Sequence, residues 1–252
     1  MTVANDRPPL AAVLFDLDDT LHGDTRAYHV AAHRVADSLA RDYGIEAQTV
    51  FDAYVAGADR FWKTLSEETL REPLAGLRSR LWNEAMRAVG IDDWSRAERC
   101  GVEYNMARKE SLEIWPGALE LLASLRRRGL KLALITNGIA ETHREKIALL
   151  QLEDAFDEFF IADEVGLIKP DPRVFRLAAQ RLGVRTEACA MVGDRFERDV
   201  RGGHATGMFT VWMNVRDERV PAGGPQPDAI VTDVRDVEAA LFGGASQRSR
   251  NR

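Results

Sequence analysis

The sequence predicts an α/β fold, a parallel sheet with an inserted helical domain, and three observations support this prediction. After residue 115, short apolar segments alternate with amphipathic segments. One further apolar segment, "LAAVLF" (10–15), stands alone near the start of the chain. Between the two regions, about residues 25 to 110, the spacing of apolar residues is helical and strand patterns are absent. Strands that alternate with helices favour a parallel sheet covered by helices on both faces.

The order of the segments predicts two domains, because the insert follows the first strand directly. We expect a core domain at 1–20 and 115–245, a helical cap domain at 21–114 and a flexible tail at 246–252. After "LAAVLF", the expected strands are "KLALIT" (131–136), "EFFIAD" (158–163), "ACAMVG" (188–193), "FTVWMN" (209–214) and "AIVT" (229–232). A helix is expected after each of these except "FTVWMN", which a Pro/Gly-rich loop (216–228) follows.

Composition and charge restrict the function. The chain has 252 residues and a net charge of −6, so a basic surface for a nucleic acid polymer is not expected. No apolar run approaches the length of a membrane span, and the first residues do not resemble a signal peptide. The two cysteines, Cys100 and Cys189, are far apart, which is typical of reduced thiols in a cytoplasmic protein. We expect a cytoplasmic monomer or homodimer without membrane or nucleic acid partners.

Residues that can perform chemistry follow the ends of predicted strands or precede a predicted helix. The carboxyl ends of parallel strands meet at one edge of a sheet, where open α/β folds bind ligands. We therefore expect these residues to lie close together. They are Asp16, Asp18 and Asp19 after the first strand, Thr136, Asn137 and Gly138 at the end of the second, Asp194 and Asp199 after the fourth, and Lys169 before the helix that Pro170 and Pro172 help to start.

This combination of side chains points to phosphoryl transfer. Several carboxylates at one place repel each other unless a cation neutralises them, and oxygen ligands without His or Cys favour Mg²⁺. Thr136 and the backbone N–H groups that follow it can bind an anion, and Lys169 adds a positive charge. A metal, an anion site and a free carboxylate together suggest an aspartyl-phosphate intermediate.

The motifs resemble those of the haloacid dehalogenase (HAD) superfamily of phosphatases. They are "FDLDDTL" (15–21), "ITNG" (135–138), "GLIKPDP" (166–172) and "MVGDRFERDV" (191–200). The resemblance covers nearly the whole chain and implies a Rossmann-like core with a helical cap of the first subclass. It is most similar to the branch with nucleotidases and N-acylneuraminate-9-phosphatase.

The resemblance also implies roles for individual residues. In the first motif glycine usually follows the second aspartate, and Asp19 replaces it here as a turn residue. Asp16 would be the nucleophile, and Asp18 would be first the general acid and then the general base. The phosphoryl group would be bound by Thr136 and the backbone N–H of Asn137, and Lys169 would neutralise its charge. Mg²⁺ would be bound by Asp16, Asp194 and the backbone carbonyl of Asp18, and Asp199 would be a further metal ligand or a residue that orients one.

Several activities are compatible with the same motifs. The leading hypothesis is a Mg²⁺-dependent phosphomonoester hydrolase for a small metabolite, such as a nucleoside monophosphate or a sugar phosphate. A phosphoglycolate phosphatase and a phosphomutase of the β-phosphoglucomutase type are the alternatives. Dehalogenases lack an acid two residues after the nucleophile, so Asp18 disfavours carbon–halogen cleavage. A non-catalytic binding module is disfavoured because every catalytic position is filled.

Aromatic and histidine residues of the insert have two interpretations. Trp62, Trp82 and Trp94 could line a substrate pocket, but the core of a small helical bundle is favoured for each. The histidines at 22, 29 and 33 have no acidic or cysteine residues at metal-binding spacing, and we expect them on the surface or in the core of the cap.

Overall fold

The computed structural model describes residues 7–71 and 74–243, so the predicted tail at 246–252 lies outside the described residues. Within them, a single sheet contains six strands, and all neighbouring strands are parallel. The order β3-β2-β1-β4-β5-β6 places the first strand between the second and the fourth. The strands are β1 (Ala12–Phe15), β2 (Lys131–Thr136), β3 (Glu158–Ile161), β4 (Cys189–Gly193), β5 (Phe209–Met213) and β6 (Ala229–Val231).

This strand order determines where a ligand can bind. The chain proceeds from β1 to β2 and β3 on one side, and then to β4, β5 and β6 on the other. At β1 the order therefore reverses, and a crevice forms beyond the carboxyl ends of the strands at such a point. Asp16 directly follows β1, so the sheet topology alone brings the first motif to the crevice.

Helices follow most strands and also form the insert. The sequence did not predict two short elements. They are the single-turn helix Ala162–Val165 and a π-helical turn at Phe196–Val200. The helices are α1 (Asp24–Tyr43), α2 (Ala47–Lys63), α3 (Glu67–Arg71), α4 (Leu77–Ala88), α5 (Trp94–Glu110), α6 (Ala118–Arg127), α7 (Ala140–Leu149), α8 (Ala162–Val165), α9 (Pro172–Leu182), α10 (Arg201–Ala205) and α11 (Val237–Phe242).

The sheet forms because its central strands are apolar on both faces. All four residues of β1 are completely buried, as expected for a parallel strand covered on both sides. On one face, Leu14 belongs to a core cluster with Phe175 of α9. Burial of such side chains stabilises the fold by about 1.5–3 kcal/mol each. The Asp171 carboxylate caps α9 by accepting the backbone N–H of Arg173, and the helix ends at Gly183 with a φ of 67°.

The chain divides into two compact units. One contains residues up to His22 and from Ile114 onwards, and it holds the sheet; the other contains Gly23–Glu113, with helices α1 to α5. In the helical unit, Trp82 is completely buried, in agreement with the predicted bundle core. The prediction was wrong for Trp94, which is 48% exposed because it begins α5 at the surface of that unit.

Candidate active site

Lys169 is the centre of the site. It is 2% exposed, and its Nζ lies 2.6 Å from Asp16 Oδ1 and 2.7 Å from Asp199 Oδ1. Burial by itself would lower the pKa of Lys169, but the charges of Asp16 and Asp199 outweigh burial and raise it. The structure therefore joins a residue of the third motif to residues of the first and fourth through one buried cation.

Asn137 fixes the backbone of Lys169. Its Nδ2 donates to the carbonyl of Lys169, and its Oδ1 accepts the backbone N–H of the same residue, both at 2.8 Å. The side chain of Asn137 thus holds the lysine, a contact that the sequence did not predict. Thr136 ends β2, the strand next to β1, and is 3% exposed, so its hydroxyl lies at the same edge of the sheet.

Asp16, Asp194 and Asp199 place carboxylate oxygens within 4.8 Å of one another. Burial raises the pKa of Asp194 well above its usual value, and the charges of Asp16 and Asp199 act in the same direction. Its Oδ2 accepts from Arg216 Nη2 at 2.8 Å, but its buried Oδ1 has no hydrogen-bond partner among the described residues. An unpaired buried oxygen among hard oxygen donors fits a divalent cation.

Asp199 has both carboxylate oxygens engaged. Oδ1 accepts from Lys169, and Oδ2 accepts the backbone N–H of Arg195 at 2.9 Å. This close approach requires the glycine that ends β4, because a Cβ at Gly193 would lie 2.3 Å from Asp199 Cγ. Of the two roles left open by the sequence, these contacts favour orientation of Lys169 over direct metal binding.

Asp18 is held by three basic side chains that the sequence did not identify. Its Oδ1 lies 2.6 Å from Lys146 Nζ and 2.9 Å from His22 Nε2, and its Oδ2 lies 3.3 Å from His143 Nε2. Burial alone would raise the pKa of Asp18, but Lys146, His143 and His22 together lower it well below its usual value. The structure therefore stabilises the ionised form of this carboxylate.

Two of these basic residues could have been found from their spacing. His143 and Lys146 are three residues apart on α7, the helix that follows the "ITNG" motif, so both lie on one face of that helix. A Cβ at Gly138 would lie 2.0 Å from the His143 ring, which explains the glycine of the motif. The prediction for His22 was wrong, because this residue belongs to the sheet-containing unit and is completely buried beside Asp18.

Asp19 has the backbone conformation expected of a turn residue. Its φ is 60°, in the left-handed region that favours glycine, and its N–H donates to the carbonyl of His22 at 2.9 Å. Its Oδ2 lies 3.6 Å from Arg216 Nη1 and 4.0 Å from Arg195 Nη2. The geometry thus accounts for glycine as the usual residue of this motif position.

Together, these contacts define a class of protein: an α/β enzyme with a buried lysine–carboxylate centre at the switch point of a parallel sheet. Comparison with known proteins identifies the family. Residues 10–207 match the model of the haloacid dehalogenase-like hydrolases, a match that spans most of the chain. The chain belongs to this hydrolase family, and the resemblance inferred from its motifs is confirmed.

Three similar proteins illustrate the relationship. The phosphoserine phosphatase of Thermus thermophilus is 35% identical over 89% of this chain and 96% of that protein. The N-acylneuraminate-9-phosphatase of Mus musculus is 31% identical over 91% of this chain and 93% of that protein. The crystal structure of the Bacillus subtilis HAD-hydrolase YfnB, bound to magnesium, superposes with a TM-score of 0.74 at 19% identity and covers 93% of this chain and all of that one. The predicted fold class is confirmed.

Proposed function

We propose that this chain is a Mg²⁺-dependent phosphomonoester hydrolase that acts through an aspartyl-phosphate on Asp16. The observation that carries the proposal is the buried Lys169 ammonium, 2.6 Å from Asp16 and 2.7 Å from Asp199. Burial raises the pKa of Asp16, and the charge of Lys169 acts against this rise, so the lysine favours the ionised, nucleophilic form of Asp16. The similar phosphatases of Thermus and Mus support phosphate-ester chemistry.

In the first step, a carboxylate oxygen of Asp16 forms a bond to phosphorus, and the bond from phosphorus to the leaving oxygen breaks. Asp18 in its protonated form donates its proton to that oxygen and becomes ionised, and the second step returns a proton to it. In the second step, water attacks phosphorus, Asp18 accepts the proton of the water, and the bond to Asp16 breaks. The ionised state that Lys146 and His143 favour for Asp18 is the state that accepts this second proton.

Thr136 and the backbone N–H of Asn137 would hold the phosphoryl oxygens during both steps. A bound Mg²⁺ would be held by Asp16, Asp194 and the backbone carbonyl of Asp18, and it would neutralise charge on the phosphoryl group. Asp199 keeps Lys169 directed at Asp16.

The substrate proposed here is a small phosphorylated metabolite in the cytoplasm, and the protein would act as a monomer or a homodimer. Within residues 7–71 and 74–243, no helix is long and apolar enough to cross a membrane. Both cysteines are free and buried, which is consistent with a reducing compartment.

Phosphate release from 4-nitrophenyl phosphate and a panel of nucleotides, sugar phosphates and phosphorylated acids tests this proposal. We expect turnover with Mg²⁺, its loss in excess EDTA, and a loss of at least about 10³-fold in Asp16→Asn. Asp233→Asn is a matched control, since this carboxylate caps a turn elsewhere in the same unit. Near-wild-type turnover by Asp16→Asn would disprove the mechanism, and turnover only with an added sugar bisphosphate would favour the phosphomutase.

A further inference from the structure

The segment between β5 and β6, residues 214–228, brings an arginine to the acidic edge of the sheet. Arg216 Nη2 donates to Asp194 Oδ2 at 2.8 Å and to the backbone carbonyl of Asp194 at 3.0 Å. Its Nη1 lies 3.6 Å from Asp19 Oδ2. These residues all belong to the sheet-containing unit. One guanidinium therefore contacts both the side chain and the backbone of a residue for which the motifs imply Mg²⁺ binding.

Hydrogen bonds within this segment orient Arg216. Asn214 Oδ1 accepts the backbone N–H of Glu218, and Asn214 Nδ2 donates to the carbonyl of Glu218, both at 2.9 Å. Glu218 Oε1 accepts from Arg216 Nε at 3.0 Å. A guanidinium has its donors in a fixed plane, so a contact that holds Nε also directs the Nη groups. The segment thus presents Arg216 to Asp194 with a defined geometry.

Asp194 has one carboxylate oxygen in use and one unpaired. The residue is 1% exposed, and its backbone carbonyl also accepts from Trp212 Nε1 at 2.9 Å. Arg216 binds Oδ2, and Arg195 Nε lies 3.3 Å from the same oxygen. Among the described residues, Oδ1 is the only buried carboxylate oxygen without a hydrogen-bond partner. Asp194 can therefore offer Oδ1 to a cation while Arg216 occupies Oδ2.

The neighbouring carboxylates are restricted in the same way. Asp16 Oδ1 accepts from Lys169, and its Oδ2 accepts from the hydroxyl of Thr20 at 3.3 Å. Both oxygens of Asp199 are engaged. Mg²⁺ binds about one or two carboxylates and keeps several waters, whereas Ca²⁺ takes about six to eight oxygens and often binds a carboxylate through both. A buried cluster with few available oxygens therefore suits Mg²⁺ better than Ca²⁺.

We propose that Arg216 makes the site selective for Mg²⁺ over Ca²⁺ by occupying Oδ2 of Asp194. This inference rests on the proposed function, in which Asp194 holds Mg²⁺, and it concerns how the chain selects that metal. While Arg216 is bound to Oδ2, Asp194 can coordinate through one oxygen only. Without Arg216, both oxygens become available, and the larger cation gains a ligand. Arg216 is thus a positioning residue that acts through Asp194.

A comparison of two cations separates this geometric effect from simple repulsion. Mg²⁺ and Ca²⁺ carry the same charge, so the positive charge of Arg216 disfavours both to a similar degree. Its removal should strengthen the binding of both ions through charge, but only Ca²⁺ should gain from a second oxygen of Asp194. The ratio of the two Kd values therefore reports the role of Arg216 in metal selection.

Thermal unfolding of the full chain, without substrate, tests the proposal. A cation that binds only the folded state raises Tm, so titrations with MgCl₂ and CaCl₂ give a Kd for each ion. In Arg216→Met, we expect the ratio of the Ca²⁺ Kd to the Mg²⁺ Kd to fall by about tenfold or more. Arg216→Gln should give the same result, and it is the second variant if methionine unfolds the protein. Arg195→Met is the matched control and should keep the wild-type ratio, because it removes an equal charge near Oδ2 from a half-exposed side chain and leaves Arg216 in place.

The outcomes distinguish this inference from the proposed function. A fall in the ratio that is confined to the Arg216 variants supports the inference. If Mg²⁺ raises the Tm of the wild type but the ratio is unchanged in the Arg216 variants, or falls as far in Arg195→Met, the inference is overturned and the proposed function stands. If Mg²⁺ does not raise the Tm of the wild type, or raises that of Asp194→Asn equally, the metal site of the proposed function fails, and the inference fails with it.

Discussion

Replacing Asp199 by asparagine should show whether this residue orients Lys169 or binds the metal. Asp199 accepts hydrogen bonds on both oxygens, from Lys169 Nζ at 2.7 Å and from the backbone N–H of Arg195 at 2.9 Å. Asparagine has the same shape but only one acceptor. Whichever way the amide turns, its NH₂ group faces a donor.

The expected loss can be worked out from these contacts. Hydrogen bonds to charged groups contribute about 1.5–3 kcal/mol each. At about 1.36 kcal/mol per factor of ten, a kcat lower by about 10- to 150-fold is expected for Asp199→Asn. The site is buried, so solvent cannot replace the lost acceptor. KM should change much less, because Asp199 acts through Lys169 and does not touch the substrate.

Steady-state kinetics over a range of Mg²⁺ concentrations is the appropriate assay. If Asp199 only orients Lys169, the Mg²⁺ concentration for half-maximal rate stays within about threefold of wild type; a metal ligand would shift it by about tenfold or more. Asp233→Asn is the control, since this carboxylate also accepts a backbone N–H and an arginine but at an exposed turn. A kcat for Asp199→Asn within twofold of wild type would refute the reasoning.

Three further predictions concern Asp18, its neighbour Lys146 and the cysteines. Asp18→Asn should lower kcat by about 10²–10⁴-fold for alkyl phosphates and much less for 4-nitrophenyl phosphate, whose leaving group needs no proton; equal losses on both would remove Asp18 as the acid. Lys146→Met should lower kcat by about tenfold or more, with partial recovery in Lys146→Arg, because the buried ammonium holds Asp18 at 2.6 Å; wild-type kinetics would contradict this. Burial raises the pKa of Cys100 and Cys189 to about 12, so at pH 8 only about one thiol in 10⁴ is ionised. Native protein should therefore resist alkylation and react at two sites after unfolding, and rapid native labelling would count against burial as the cause.

Much of the fold could be predicted because its signals are local. Completely buried strands such as β1 are continuous apolar runs, and helix ends carry caps such as Asp171 and Gly183. Parallel strands share a direction, so residues that follow them had to reach one edge. This is why Asp16, Lys169 and other distant motif residues could be grouped before any distance was known.

The remaining features depend on which side chains face each other across the fold. The spacing of His143 and Lys146 places them on one face of α7, but only the structure shows that this face is buried beside Asp18. The hydrogen bonds of Asp199 favour one of the two roles that its motif position left open, and one of them involves Lys169, which is distant from it in the sequence.

The connections of the insert have a consequence for how the fold can be altered. His22 and Ile114 form an antiparallel bridge, and the N–H of Trp115 donates to the carbonyl of Leu21 at 2.8 Å. The chain therefore leaves and re-enters the sheet-containing unit at neighbouring segments, which backbone hydrogen bonds hold together. Loop-closure entropy grows only slowly with loop length, so segments of very different size can occupy this point at similar cost. A core in which a few glycines and serines replace residues 23–113 should therefore keep its sheet, and inserts of other lengths should be tolerated at the same place.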